Sequence, residues 1–242
     1  MHKIAIQLSG QIRYWHKSYN DWVEFKSSLQ ERGFDVDLHI CGWEDEYTKE
    51  LDYGIFETSN LIPINKDIVK ENSDGKGNWS RKQQPLSLLP YSYLQYWGSR
   101  FRRLYQKQNN VDYDFIILTR PDIYYNEGGR KQIKHLFVNW EKLSKSVFTI
   151  FTDGIENKLG GETKSITRWS GDLLVMGTEE SINLFCNGFL HCYLQESQSF
   201  YAGHHTLPGY ICMKTNLHSK TYPNIFHPRL RKKNYEEKSG MG

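Results

Sequence analysis

A chain of 242 residues is long enough to bury a substantial core within one α/β domain. Its 38% hydrophobic and 14% aromatic content, with 7 Trp and 16 Tyr, excludes a disordered chain, and a net charge of +3 is too small to argue for nucleic acid as a partner. Nothing at the amino terminus resembles a signal peptide, no apolar run approaches the roughly 20 residues of a spanning helix, and Cys41, Cys186, Cys192 and Cys212 show no C-x-x-C spacing. The expectation is a cytoplasmic protein without a transmembrane segment.

Ile4 to Leu8 is a compact strand running into Ser9-Gly10-Gln11-Ile12-Arg13, where glycine permits a tight turn and polar groups cluster. Ser18 with Asp21 three residues on resembles a capping arrangement. Trp22, Phe25 and Leu29 then follow at helical spacing as far as Gly33, which predicts a helix over roughly 19–32. Val36 to Cys41 alternates apolar residues with Asp37 and His39 and predicts a second strand, completing a parallel strand-helix-strand unit. Residues 65–84, centred on Asp74-Gly75-Lys76-Gly77, form a polar stretch of the length found in lids and binding loops. From Pro90 a helix is predicted with Leu94, Trp97, Phe101 and Leu104 on its buried face. The basic run Arg100-Phe101-Arg102-Arg103 suits a solvated helix face or phosphate contacts.

Phe115 to Leu118 is apolar without alternation, as in a strand covered on both faces. It breaks into Thr119-Arg120-Pro121-Asp122. Proline cannot donate to a ladder and pushes Arg120 toward an extended conformation, so the chain should leave the sheet there. In open α/β sheets, ligands bind outside the carboxyl ends of the strands, so a carboxylate delivered by this rigid turn can meet a metal or a hydroxyl. The tripeptide by itself equally suits an ion pair that ends a strand. A further strand is predicted over 147–151, followed by a polar loop over 153–168 that reaches Trp169-Ser170-Gly171-Asp172. Leu173 to Met176 gives another strand, and Thr178 caps a helix bearing Ile182, Phe185 and Phe189, with Glu179 and Glu180 complementing its dipole. A short helix is predicted near 210–215. One domain over 1–228 and a charged, loose tail over 229–242 complete the reading.

Several chemistries are missing: there is no P-loop, no complete G-x-G-x-x-G and no G-x-S-x-G elbow. His204, His205, Cys212 and His218 give no recognised zinc spacing.

The opening strand into S-G-Q-x-R, the central strand into R-P-D, and the later W-S-G-D together resemble small glycosyltransferases of the GT-A-like type found in bacterial capsule and lipopolysaccharide loci and in some large viruses and phages. The resemblance spans residues 3 to 215. It implies an α/β fold, a mainly parallel central sheet flanked by helices, in a Rossmann-like nucleotide-sugar-binding domain. It also implies transfer of a sugar from a nucleotide-diphosphate donor to a glycan or lipid-linked acceptor in polysaccharide biosynthesis. Ser9, Gly10, Gln11, Arg13, Arg120 and Asp122 would bind the donor. Asp122 would hold a divalent metal, manganese or magnesium. The usual motif is Asp-x-Asp, and Arg120 stands in place of the first carboxylate; its guanidinium can neutralise a diphosphate directly. Asp172 falls at the acceptor or base position, with His205 and His204 behind it. Arg81 and Lys82, on the long polar stretch, add charge for the departing diphosphate. The alternative is a noncatalytic carbohydrate- or nucleotide-binding protein of the same fold that has lost its acidic pair.

Overall fold

The computed structural model describes residues 1–10, 12, 15–44, 48–49, 53–63, 84–121, 146–150, 171–196, 211, 215 and 217–222. Its elements are β1 (Lys3–Gly10), α1 (Trp15–Gln30), β2 (Asp35–Glu44), β3 (Thr58–Pro63), α2 (Gln84–Asn109), β4 (Phe115–Thr119), β5 (Ser146–Ile150), β6 (Gly171–Thr178), α3 (Glu179–Glu196) and β7 (His218–Tyr222). Among the described residues seven strands form one sheet in the order β3-β2-β1-β4-β6-β5-β7. The β3-β2-β1-β4 half is parallel throughout, β6 runs antiparallel to both β4 and β5, and β7 is parallel to β5. The fold is therefore α/β with a mainly parallel central sheet flanked by helices, as the sequence implied.

Period-two alternation divides β1 between two cores. Ile4, Ile6 and Leu8 join Val36, Leu38 and Ile40 of β2 against Trp22, Phe25 and Leu29 of α1. Each of these fully buried side chains contributes about 1.5–3 kcal/mol by leaving water. On the other face, Ala5, Ile116, Leu118 and Val175 pack with Ile182, Phe185 and Cys186 of α3. Helix α2 covers the remainder of that face, with Leu94 against Cys41 and Trp43. β4 contributes to both cores, which is why its sequence shows no alternation. Among the described residues no helix is long and apolar enough to cross a membrane.

Several boundaries differ from the sequence reading. Helix α1 begins at Trp15, four residues before the expected start, and the Ser18 hydroxyl in its first turn donates to the Pro121 carbonyl oxygen at 2.8 Å. Its end is as expected: the Phe34 amide donates to Leu29 at 3.3 Å and Gly33, at φ +85°, donates to Gln30 at 2.9 Å, the paired bonds of a glycine stop. β2 continues through Gly42 and Trp43, whose ring stacks on Tyr93 with centroids 5.7 Å apart. Helix α2 starts at Gln84, so Pro85 rather than Pro90 occupies its first turn. β6 takes in Gly171 and Asp172, so Asp172 is a strand residue and not part of a preceding loop. β3 and β7 were not foreseen: T-S-N-L-I-P and H-S-K-T-Y have neither an apolar run nor clean alternation. The polar stretches over 64–83 and 151–170 and the tail over 229–242 lie outside the described residues.

Candidate functional site

Strand order reverses at β1. From it the chain proceeds outward to β2 and β3 on one side, while β4 lies on the other. In an open parallel sheet such a switch leaves a crevice beyond the carboxyl ends of the two strands that part there, and ligands enter it. Here those ends are Ser9-Gly10 and Thr119-Arg120.

Three segments converge on the crevice. Gly10 lies at φ +150°, where L side chains are rare, and a Cβ on it would stand 3.4 Å from Pro121 Cδ and 3.8 Å from Arg120 Cγ. The turn leaving β1 thus runs alongside the Arg120-Pro121 segment leaving β4. Ile12, fully buried, packs on the turn from the far side: a Cβ on Gly42, the β2 partner of Gly10, would collide with the Ile12 side chain. The first turn of α1 reaches across through the Ser18 bond to Pro121. A fourth element arrives by register. Leu174 pairs with Thr119, and β6 runs antiparallel, so Gly171 and Asp172 begin beside the carboxyl end of β4. The backbone therefore brings Gly10, Arg120, Pro121 and Asp172 to one edge of the sheet, and Asp122 is the next residue along the chain.

Behind the crevice lies a buried polar network that the sequence reading missed. Ser9 is fully buried with its hydroxyl accepting from Gln7 Nε2 at 3.1 Å, so it faces α2 and leaves its backbone to the crevice. Gly98 permits that contact, since a Cβ there would lie 2.6 Å from Ser9 Oγ and 2.8 Å from Gln7 Nε2. Arg102, expected at the solvated face of its helix, is fully buried. Its Nε donates to Gln7 Oε1 at 3.2 Å and its Nη2 to Ser99 Oγ at 3.2 Å and Asn183 Oδ1 at 2.6 Å. Burial pulls its pKa down to about 10, which leaves it protonated at neutral pH. Asn183 in turn donates to Glu179 Oε1 at 3.3 Å, and Glu179 also accepts from Gln106 Nε2 at 2.8 Å and from the Tyr113 amide at 3.2 Å. Gln7 inside I-A-I-Q-L and Gly98 inside a long helix were the available signals: a polar residue on a buried strand and a mark of close backbone approach.

A second buried network, farther toward the amino ends of the strands, joins Asp37, His39, Thr58 and Tyr113. Tyr113 donates to Asp37 Oδ2 at 2.6 Å and its oxygen stands 2.9 Å from His39 Nε2, while His39 Nδ1 stands 2.9 Å from Thr58 Oγ1. Burial, with the charges of Arg102, Lys26 and Lys3 adding to it, drives His39 down to about 3, so the ring is neutral. Neutral His39 then donates from Nε2 to Tyr113 and accepts from Thr58 at Nδ1. With both nitrogens engaged, His39 belongs to the scaffold. Cys41 and Cys186 are free and buried, and burial raises their thiols to about 12 and about 11. Neither is a nucleophile.

Of the residues singled out from the sequence, Ser9, Gly10, Arg120 and the backbone of Asp172 gather at this edge. Gln11, Arg13, Arg81, Lys82, Asp122, His204 and His205 lie outside the described residues. Among the described residues no three His, Cys, Asp or Glu side chains come together as a metal would require.

No family model matches the sequence, and no curated protein is similar to it. Solved structures similar to the chain include two glycosyltransferases. One is a glycosyltransferase involved in the glycosylation of the major capsid of PBCV-1, at 8% identity and a TM-score of 0.48 over 93% of this chain and 86% of that one. The other is the catalytic domain of Drosophila beta1,4galactosyltransferase 7 in complex with xylobiose, at 12% identity and a TM-score of 0.39 over 94% of this chain and 68% of that one.

Proposed function

We propose that the chain is a glycosyltransferase of GT-A-like type that moves a sugar from a nucleoside diphosphate donor to a glycan or lipid-linked acceptor. The observation that carries this reading is the switch-point crevice, where the turn after β1 and the Arg120-Pro121 segment meet across Gly10. It is the place where S-G-Q-x-R and R-P-D would have to meet if the resemblance in sequence reflects a shared site.

In this reading the backbone of Ser9 and Gly10, with Gln11 and Arg13 beyond them, receives the nucleotide. Arg120 lies against the diphosphate, where a guanidinium stabilises the charge that develops as the sugar departs. Asp122 meets the donor from the same turn. If a divalent ion binds, Asp122 is the residue to hold it, and it would supply Lewis-acid neutralisation of the diphosphate. The donor set in hand is one carboxylate beside a cation, so no step is routed through a metal. Asp172, at the start of β6, takes the proton from the acceptor hydroxyl, with His205 as the second candidate for that role.

Calorimetric titration with a panel of nucleoside diphosphates, with and without manganese, tests the proposal. Binding of at least one is expected, together with slow release of nucleoside diphosphate from its sugar donor that disappears in Asp122→Asn. Failure of every nucleotide to bind overturns the reading. Binding without any release of product by the wild-type chain favours instead the noncatalytic relative, the reading motivated by Arg120 in place of a carboxylate.

A further inference from the structure

Helix α2 carries Arg100, Arg102, Arg103 and Lys107 and no carboxylate along its whole length. Arg102 turns inward. At 3.6 residues per turn, Tyr96, Arg100, Arg103, Leu104 and Lys107 fall within an arc of about 100° on the opposite side. Leu104 on this face is 51% exposed, and on the facing helix α3 Leu184 is 42% exposed beside Arg100 and Arg103. Apart from Met1 they are the large hydrophobic residues left exposed among the described residues.

Between the two helices runs an open groove of about 520 Å³, lined by Tyr96, Arg100 and Arg103 on one side and by Leu184, Asn187 and Gly188 on the other. None of its lining residues is acidic. Arg100 is held in place, donating to the Tyr96 hydroxyl at 2.8 Å with its guanidinium 5.4 Å above the ring. Arg103 makes no hydrogen bond or ion pair among the described residues. The buried Arg102 beneath them is bonded to neutral groups, so its charge is not cancelled at contact. Of the carboxylates in the first turn of α3, neither Glu179 nor Glu180 lines the groove, and Glu179 belongs to the buried network through Gln106, Asn183 and Tyr113.

Cations beside exposed leucines on a surface shared by two helices are what an interface with charged headgroups outside and acyl chains within requires. A small phosphorylated ligand would use the arginines and leave the leucines in water. We propose that the α2–α3 face docks on an anionic lipid surface, with Arg100, Arg103 and Lys107 against the phosphates and Leu104 and Leu184 seated among the first carbons of the acyl chains. The docking face is separate from the crevice and does not depend on any transfer reaction.

Flotation of the full-length chain with phosphatidylcholine vesicles, with and without phosphatidylglycerol, tests it. Binding to the anionic vesicles alone is expected, and it should weaken as salt is raised. Arg100→Gln/Arg103→Gln should lower the partition coefficient about 25-fold, about fivefold for each cation removed. Leu104→Ser/Leu184→Ser should lower it at least about tenfold, with nucleotide titrations and the melting curve unchanged in both. Lys107→Gln, a single change at an exposed position, provides the same readout should a double variant fail to fold. Equal binding to neutral vesicles overturns the proposal, as does undiminished binding by the charge variants. Absence of vesicle binding combined with saturable binding of inorganic phosphate that requires Arg103 would make the groove a small-anion pocket and also overturn it.

Discussion

Removing the Arg102 guanidinium while keeping its stem, as in Arg102→Met, isolates what the buried network contributes. The side chain is fully enclosed and makes three hydrogen bonds, to Gln7, Ser99 and Asn183. Without it the Gln7 carbonyl oxygen is left buried and unpaired, at a cost of about 1–3 kcal/mol, while half-buried Asn183 can turn toward water. The variant should lose about 2–3 kcal/mol, and Arg102→Ala, which also opens a cavity, about 3–5 kcal/mol. For a chain of this size each kcal/mol lowers the melting temperature by about 2–4 °C. Adding Gln7→Leu to Arg102→Met should recover all but about 1 kcal/mol, since an apolar pair of similar volume often replaces a buried polar one without loss. Urea denaturation followed by tryptophan fluorescence, with Gln7→Leu alone as the fourth variant, gives these values and the coupling between the two sites. A loss below about 1 kcal/mol in Arg102→Met, or strictly additive losses in the double variant, would refute the network as described.

Gly98→Val should destabilise by about 1–3 kcal/mol, because its Cβ falls 2.6 Å from Ser9 Oγ and 3.2 Å from Cys41 Cβ and must lift α2 off the sheet; a thermal melt reports it. Ser18→Ala removes the bond from α1 to the Pro121 carbonyl and should cost about 1 kcal/mol in stability while weakening nucleotide binding several-fold, measured by calorimetry. An unchanged nucleotide affinity would detach Ser18 from the site. Acidification should expose His39. Its folded pKa is about 3 against an ordinary value of 6.5, so between these the unfolded chain binds a proton that the folded chain refuses. Stability then falls as pH drops below about 6.5, with a slope of up to about 1.4 kcal/mol per pH unit from this group, and the slope should flatten in His39→Gln when urea midpoints are compared between about pH 7 and pH 5.

What was legible in the sequence followed the apolar residues. β1, α1, β2, β4 and α3 bury clean patterns, so their existence and the parallel β1-α1-β2 unit were readable, as was the departure of the chain from the sheet at Arg120-Pro121. Helix α2 packs Leu94, Trp97 and Phe101 toward the sheet as expected, but its buried stripe is wider and also takes in Gln95, Ser99, Arg102 and Gln106, because the strands beneath it present Gln7, Ser9, Asp37 and His39. Hydrophobic periodicity cannot find the polar part of a buried stripe, and it missed that Arg102 faces inward and that Leu104 lies at the surface. The edge strands β3 and β7 take their conformation from the neighbours they pair with and carry little pattern of their own. At the site, the turn after β1 and the end of β4 were legible as polar breaks in apolar runs. The inward turn of the Ser9 hydroxyl was not, since only the approach of α2 at Gly98 dictates it.

The proposed division of the switch-point edge into a donor side at Asp122 and an acceptor side at Asp172 is tested by measuring donor affinity and transfer rate in parallel for Asp122→Ala and Asp172→Asn. Asp122→Ala should weaken donor binding with the melting curve intact. Asp172→Asn changes charge without size, so donor affinity should hold within a few-fold while turnover falls by roughly 10²–10⁴, the range for loss of a general base. Equal loss of donor binding in both variants, or a large fall in melting temperature for Asp172→Asn, would contradict the assignment.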